Sequence, residues 1–411
     1  MRALLRRRPF RLLWLGQTLS AFGDYAMFLA IGIWAKTLTG SNAAAGLTVL
    51  PFAVPSLFGP ALGVIADRFP RRQVMIVTDL FAGLSLLALF GVHDRSDLWL
   101  LYAVAFAYGT AVTIYQGARS GLLVGMLPED ELGDANGMLH ASNQAMRLAA
   151  PLAGAALFAI FGGRAVAALD AATFGLSAAL LGAVHTADIE RRSDAVHLWA
   201  EIREGAAHIW GTLDLRRLTI GVGLLTLMLG MSEVGIYAVI DQGLHRPPAF
   251  LGVISAVQGV GSIGAGIGAG WLIRKVGGLW SIAAASLAAS VAIGLFGLAV
   301  LPLVFVGALA GGTANTFFQV GYATVMQTRT PLELQGRVMT AVEAVVTLPF
   351  LCSIGVGAAL ISQISFRVIY GTEAVGLALL AGYFAAVARR SGAGQANAEA
   401  TAESTAESTA G

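Results

Sequence analysis

Residues 276–328 contain no Asp, Glu, Lys or Arg. At 1.5 Å per residue, one helix of that length far overruns the roughly 30 Å hydrocarbon layer of a bilayer. The run therefore reads as two membrane-spanning helices with a turn near Leu301-Pro302. The rest of the chain agrees: it is 56% hydrophobic and 12% charged, against about 25% charged in soluble domains. So few charges cannot cover the surface of a soluble fold this large. The apolar blocks are continuous rather than alternating, which favours helices over a closed β-barrel. The expected class is an all-α membrane protein.

Apolar windows of about 20 residues place twelve spans at 12–37, 43–66, 73–92, 97–118, 138–160, 164–184, 217–240, 249–273, 279–300, 303–326, 338–361 and 367–388. The basic N-terminal stretch MRALLRRRPFRLLW leads into an apolar segment without a small-residue cleavage site, so an uncleaved first span is expected. Polar residues concentrate in 185–216. The chain thus divides into a six-helix bundle (1–184), a solvated connector (185–216), a second six-helix bundle (217–390) and a tail from Ser391. The tail, ending AESTAESTAG, has a disordered composition. With the N-terminus in the cytoplasm, 20 of the 26 basic residues fall on the inner side. Only Lys36, Arg95, Arg164, Arg246 and Arg367 fall outside, and Arg147 lies within a span. The charge rule then puts both termini in the cytoplasm of a multi-pass protein of the plasma or inner membrane. A single cysteine, Cys352, excludes an intramolecular disulfide.

The two halves are related in sequence. GTAVTIYQ at 109–116 returns as GTANTFFQ at 312–319, and a shift of 203 gives 17 identities over residues 109–178 without a gap. GAAL repeats at 154–157 and 357–360, and Asp170 falls on Glu373. Duplicated bundles of this kind are related by an axis along the membrane normal and enclose a mid-bilayer cavity in transporters.

The loop GVIADRFPRR at 63–72 resembles the signature loop of the major facilitator superfamily, matching at Gly63, Asp67, Arg68, Arg71 and Arg72. A degraded copy, GWLIRKVGG, stands at 270–278. The resemblance implies a gating latch. Gly63 admits a neighbouring helix, Asp67 faces the N-terminal end of span eleven near Val338, and the arginines hold the loop and pair with acids. The start FRLLWLGQTLSAFGD, the stretch ALDAATFGLSAALL at 168–181 and Ala118-Arg119 before a Leu-Pro turn are similar to the third drug:proton antiporter family, which includes macrolide-efflux and enterobactin-export proteins. Other proton-coupled drug exporters carry an arginine where Thr113 stands, so that coupling residue does not carry over.

A charged side chain at a helix centre costs about 2.5–3.5 kcal/mol on insertion scales, so each asks for a role. Gln17, Ser20 and Asp24 share one helical face. Asp24 in span one and Glu233 in span seven are the expected proton or cation sites, with Arg147 as the expected ion-pair partner of Asp24. Gln116, Asn143, Asn315 and Gln319 are expected to hydrogen-bond substrate or neighbouring helices, and Tyr25, Tyr115, Phe317 and Phe318 to form an aromatic wall. Asp79 and Glu343 are expected to pair with latch arginines, and Asp170 and Glu373 to serve packing. Pro51, Pro55 and Pro60 should bend span two, and the glycines of span eight, Gly259 to Gly270, should form a tight packing face.

No phosphate loop, metal-ligand spacing or catalytic triad is present, which argues against an enzyme and against any cofactor. The expected function is proton-driven export of a small amphipathic molecule, a drug, antibiotic or siderophore, by alternating access. The expected partners are substrate, protons and lipids, with no nucleic acid, and the expected state is a monomer. An uptake or lipid-moving transporter of the same fold and a non-transporting receptor are the alternatives.

Overall fold

The computed structural model describes residues 2–59, 61–62, 68–184, 198–331 and 334–410. All regular structure among them is helical. Eleven of the described helices are long and apolar enough to cross a bilayer, and a shorter apolar helix, Asn42–Phe58, stands at the second span.

After a short turn Arg2–Arg6, the first half comprises α1 (Arg8–Thr39), α2 (Asn42–Phe58), α3 (Arg71–Leu87, continued as a 3₁₀ turn to Gly91), α4 (Leu98–Met126), α5 (Glu129–Phe161) and α6 (Gly163–Gly182). The connector contains α7 (Leu198–Gly211). The second half comprises α8 (Leu213–Ala238, ending in a π-helical turn Val239–Gly243), α9 (Phe250–Val276), α10 (Gly278–Leu298), α11 (Leu301–Arg329), α12 (Gln335–Leu360) and α13 (Phe366–Ala410).

Local chemistry sets the helix ends. Pro9 stands in the first turn of α1, where its missing N–H costs nothing. Gly40 closes α1 at φ 68, returning its N–H to Lys36 O. That left-handed conformation strains any residue with a Cβ. Ser41 then caps the start of α2 by accepting from Ala44 N. The charge-free run breaks at Ala299, which is left-handed at φ 52 between α10 and α11, close to the expected turn. Between α3 and α4, Asp94 accepts from the Ser96 amide and hydroxyl at 2.8 and 2.6 Å. Those two bonds hold its carboxyl below the usual range.

Two features differ from composition-based expectation. The prolines do more than bend the second span: α2 is split into Asn42–Leu47, Val49–Ala53 and a 3₁₀ turn Val54–Phe58, because each proline removes a helical N–H and crowds the preceding turn. Pro60 lies outside the described residues. The segment from Ser391, read as a disordered tail, continues α13 as helical backbone to Ala410. Its alanines and glutamates are good helix formers, and composition alone does not register that propensity.

The chain forms two compact units. One holds Met1–Leu198, Gly230–Gly259 and Leu351–Ile369; the other holds Trp199–Leu229, Val260–Phe350 and Tyr370–Gly411. The first is built around Met27, Trp34, Leu86, Leu101, Tyr108 and Phe174, with a further apolar cluster at Phe10, Leu13, Met75 and Leu123. The second is built around Leu218, Val222, Ile282, Val342 and Phe384. Large apolar side chains also point outward, among them Ile160, Ile267 and Leu379, each more than 70% exposed. Such an outer face suits lipid, not water.

Glycines allow backbones to meet at a few points. A Cβ on Gly109, the first letter of the repeated phrase, would overlap the carbonyl oxygen of Phe52 on α2. In the second half the corresponding approach uses Gly261 of α9 against the Leu309 carbonyl of α11. Each half thus has one close helix contact of this kind, with the glycine on opposite partners. The glycine face expected on span eight is shorter than it reads. Gly259 and Gly261 pack against Leu148 and Leu309, whereas Gly264, Gly266 and Gly268 have nothing within 4 Å of a built Cβ.

Candidate functional site

In the first unit, α1, α3, α4, α5 and α6 surround a cavity of ≈ 70 Å³. Its lining is polar for its depth. Gln17, Ser20 and Asp24 come from α1, Thr78 and Asp79 from α3, Tyr115, Gln116 and Arg119 from α4, and Ser142 and Asn143 from α5. Phe174 of α6 closes one wall. The three α1 residues share a face because their i, i+3 and i+7 spacing follows the helical repeat. The volume gives room for a few waters and falls well short of the roughly 300–1,000 Å³ of a drug-sized site. This pocket suits protons, water or one polar group of a larger ligand.

Asp24 accepts a hydrogen bond from the Tyr108 phenol of α4. Tyr25 donates to Asn143 Oδ1 at 2.8 Å, and Trp14 Nε1 donates to Ser142 Oγ at 2.7 Å, so α1 is pinned to α5 by side chains at two levels. Three buried atoms of lining residues, Gln17 Oε1, Asp79 Oδ2 and Tyr115 OH, have no hydrogen-bond partner among the described residues, nor does Ser177 Oγ behind them. Ser177 lies beside both Asp79 and Tyr115 without hydrogen-bonding geometry to either. Buried polar atoms normally find partners, so this cluster of exceptions sets the cavity apart from the packed helix contacts around it.

Four expected site residues, Gln17, Asp24, Gln116 and Asn143, meet here. Arg147 does not join them. Among the described residues no ion pair links it to Asp24, whose partner is Tyr108. The side chain of Arg147 is accessible, and it acts electrostatically on Tyr25 and on Glu233 of α8, which is also accessible. The expected Asp24–Arg147 pairing is thus replaced by a phenol–carboxylate bond, because a buried tyrosine on α4 reaches the carboxyl. Asn315 and Gln319 belong to the second unit, where Gln319 Nε2 donates to Asn315 Oδ1 at 3.3 Å. Phe318 stacks on Tyr322 with rings 4° from parallel.

Of the latch residues, Gly63 and Asp67 lie outside the described residues. Arg68 is exposed. Arg71 lays its guanidinium across Gly121, where a Cβ would overlap it. Arg72 donates through Nε to Leu181 O at 2.9 Å and through Nη2 to Gly182 O, capping the C-terminus of α6. A fork of donors on the last carbonyls of a helix offsets both their lost hydrogen bonds and the negative end of the dipole. Asp79, expected to pair with these arginines, is 2% exposed and lines the cavity instead.

Sequence reasoning missed Tyr108 and gave Arg119 no place in the site, while Tyr115, expected in an aromatic wall, lines the cavity. Nothing in a single apolar span distinguishes a packing tyrosine from one bonded to a carboxylate. The signal available was Asp24 itself, a mid-span acid that requires a donor.

Residues 13–237 match the Major Facilitator Superfamily. The chain is 26% identical over 348 residues to the uncharacterized MFS-type transporter YfiS of Bacillus subtilis (strain 168), covering 81% of this chain and 82% of that protein. It is 28% identical over 354 residues to the multidrug efflux pump Tap of Mycobacterium bovis (strain BCG / Pasteur 1173P2), again covering 81% and 82%. A bacterial homologue of the iron transporter ferroportin, in an inward-facing state, shares the fold at a TM-score of 0.70 and 18% identity, covering 94% of this chain and 99% of that one. The helical architecture, the buried polar cavity and the match over more than half the chain make this protein a member of the Major Facilitator Superfamily of membrane transporters.

Proposed function

We propose that the protein exports a small amphipathic molecule, such as a drug, antibiotic or siderophore, in exchange for protons by alternating access. The observation that carries this reading is the cavity of the first unit, where Asp24 and Asp79 stand among amides and hydroxyls within apolar helices. Carboxyls at membrane depth mark ion pathways and proton relays. Tyr115 and Phe174 add apolar and aromatic surface beside them. The similarity to an efflux pump over most of both chains supports the outward direction. On this reading the protein works as a monomer in the plasma or inner membrane, with both termini in the cytoplasm. It uses the proton gradient and no cofactor.

The test is flux in proteoliposomes of defined orientation, with ethidium as a lipophilic cationic probe and an internal pH dye. A pH gradient should drive ethidium across the bilayer, and ethidium should drive protons the opposite way. Gradient-independent flux removes the proton coupling from the proposal. Binding without flux in a panel of amphipathic probes assigns the chain to the receptor alternative.

A further inference from the structure

Asp170 of α6 is fully buried, at 0% exposure, and takes no part in the cavity lining. One oxygen, Oδ1, accepts from Thr173 Oγ1 at 3.1 Å; the other, Oδ2, has no hydrogen-bond partner. The site is tightly built, since a Cβ on Gly23 of α1 would overlap Asp170 Oδ1. Tyr108 of α4 lies between two acids: its phenol donates to Asp24 Oδ1 and also lies beside the Asp170 carboxyl. The other titratable groups of this neighbourhood are Asp79 on α3 and Tyr115 and Arg119 on α4. No ion pair reaches Asp170 among the described residues.

Counting protons decides what this arrangement is. A phenol carries one proton, and an ionised carboxylate only accepts. The Tyr108 proton is committed to Asp24. The contact between Tyr108 and Asp170 becomes a hydrogen bond only when a carboxyl supplies a second proton, with the phenol oxygen accepting. Without that proton, Asp170 is a fully buried anion with an orphaned oxygen, a strongly disfavoured state.

We propose that Asp24, Tyr108 and Asp170 form one proton-holding unit, in which Asp170 stores the proton and Tyr108 relays it to the cavity-facing Asp24. In the relay, Asp170 gives its proton to the phenol oxygen as the phenol gives its own to Asp24. The phenol ends neutral, Asp170 ends as the anion, and Asp24 ends protonated at the cavity wall. The inference deepens the proton-coupled reading above and rests on it for its transport role. It assigns to Asp170 a task beyond packing and to Tyr108 the role of proton relay.

Infrared difference spectroscopy on the full chain in lipid, without substrate, tests the unit independently of transport. The wild type should show a protonated-carboxyl stretching band that Asp170→Asn removes. Tyr108→Phe, which keeps the ring and loses the bridging oxygen, should keep that band and shift it to higher frequency. Asp24→Asn should also shift it. A band unchanged in intensity in Asp170→Asn overturns the storage role. If that variant does not fold, an unshifted band in Tyr108→Phe overturns the bridge. Absence of flux across the panel of amphipathic probes with these spectra intact refutes the transport reading and leaves the proton unit standing.

Discussion

Lys36 Nζ stands 2.6 Å from Asp241 Oδ2 and 2.7 Å from Gly40 O, tying the end of α1 to the π-helical turn that closes α8. The two partners are unequally buried: Lys36 is 6% exposed and Asp241 48%. Removing the acid strands a buried ammonium, whereas removing the lysine leaves a carboxylate that water can reach. Asp241→Asn should therefore cost more than Lys36→Met, about 1.5–3 kcal/mol against under about 1 kcal/mol. Thermal unfolding of the purified variants reads the difference. Equal costs would show that the asymmetry of burial is irrelevant.

Two close glycine contacts, one in each half, make a paired prediction about packing. Gly109→Ala and Gly261→Ala each push a methyl into a backbone carbonyl on a neighbouring helix, so each should destabilise by about 1–3 kcal/mol. Gly264→Ala, in open space on the same helix as Gly261, should be neutral or stabilising by up to about 1 kcal/mol through helix propensity. Melting temperatures of the three variants in one detergent separate packing from propensity.

Arg72 makes its two bonds to Leu181 O and Gly182 O with a guanidinium fork. Arg72→Gln should lose about 1–3 kcal/mol and fray the C-terminal turn of α6. Arg72→Lys should recover only part of that, since an ammonium keeps the charge and loses the fork. Hydrogen exchange at the last turn of α6 reports the fraying directly, and full protection in Arg72→Gln would sink the capping assignment.

Asp24 and Arg147 should behave as independent residues. Asp24→Asn retains an acceptor for the Tyr108 phenol, so the protein should fold while pH-driven ethidium flux falls at least about tenfold. The stability effects of Asp24→Asn and Arg147→Gln should add to within about 0.3–0.5 kcal/mol. Arg147→Gln and Glu233→Gln, which feel each other electrostatically, should not add. A coupling energy above about 1 kcal/mol between Asp24 and Arg147 would restore the ion pair that the geometry replaces with a phenol.

The sequence alone determined that the chain lives in a bilayer, because 53 uncharged residues in a row have no other solvent; it also determined the helical class, the duplication and the intramembrane acids. These properties are local: hydropathy, periodicity and charge are read from neighbours along the chain. Only the tertiary structure decided that Asp24 meets Tyr108 rather than Arg147, that Asp79 turns into the cavity rather than toward the latch arginines, and that Arg72 caps α6. Each of these depends on the rotation and depth of one helix against another. Packing of buried side chains fixes those two quantities, and the 3.6-residue repeat of a single helix leaves both free.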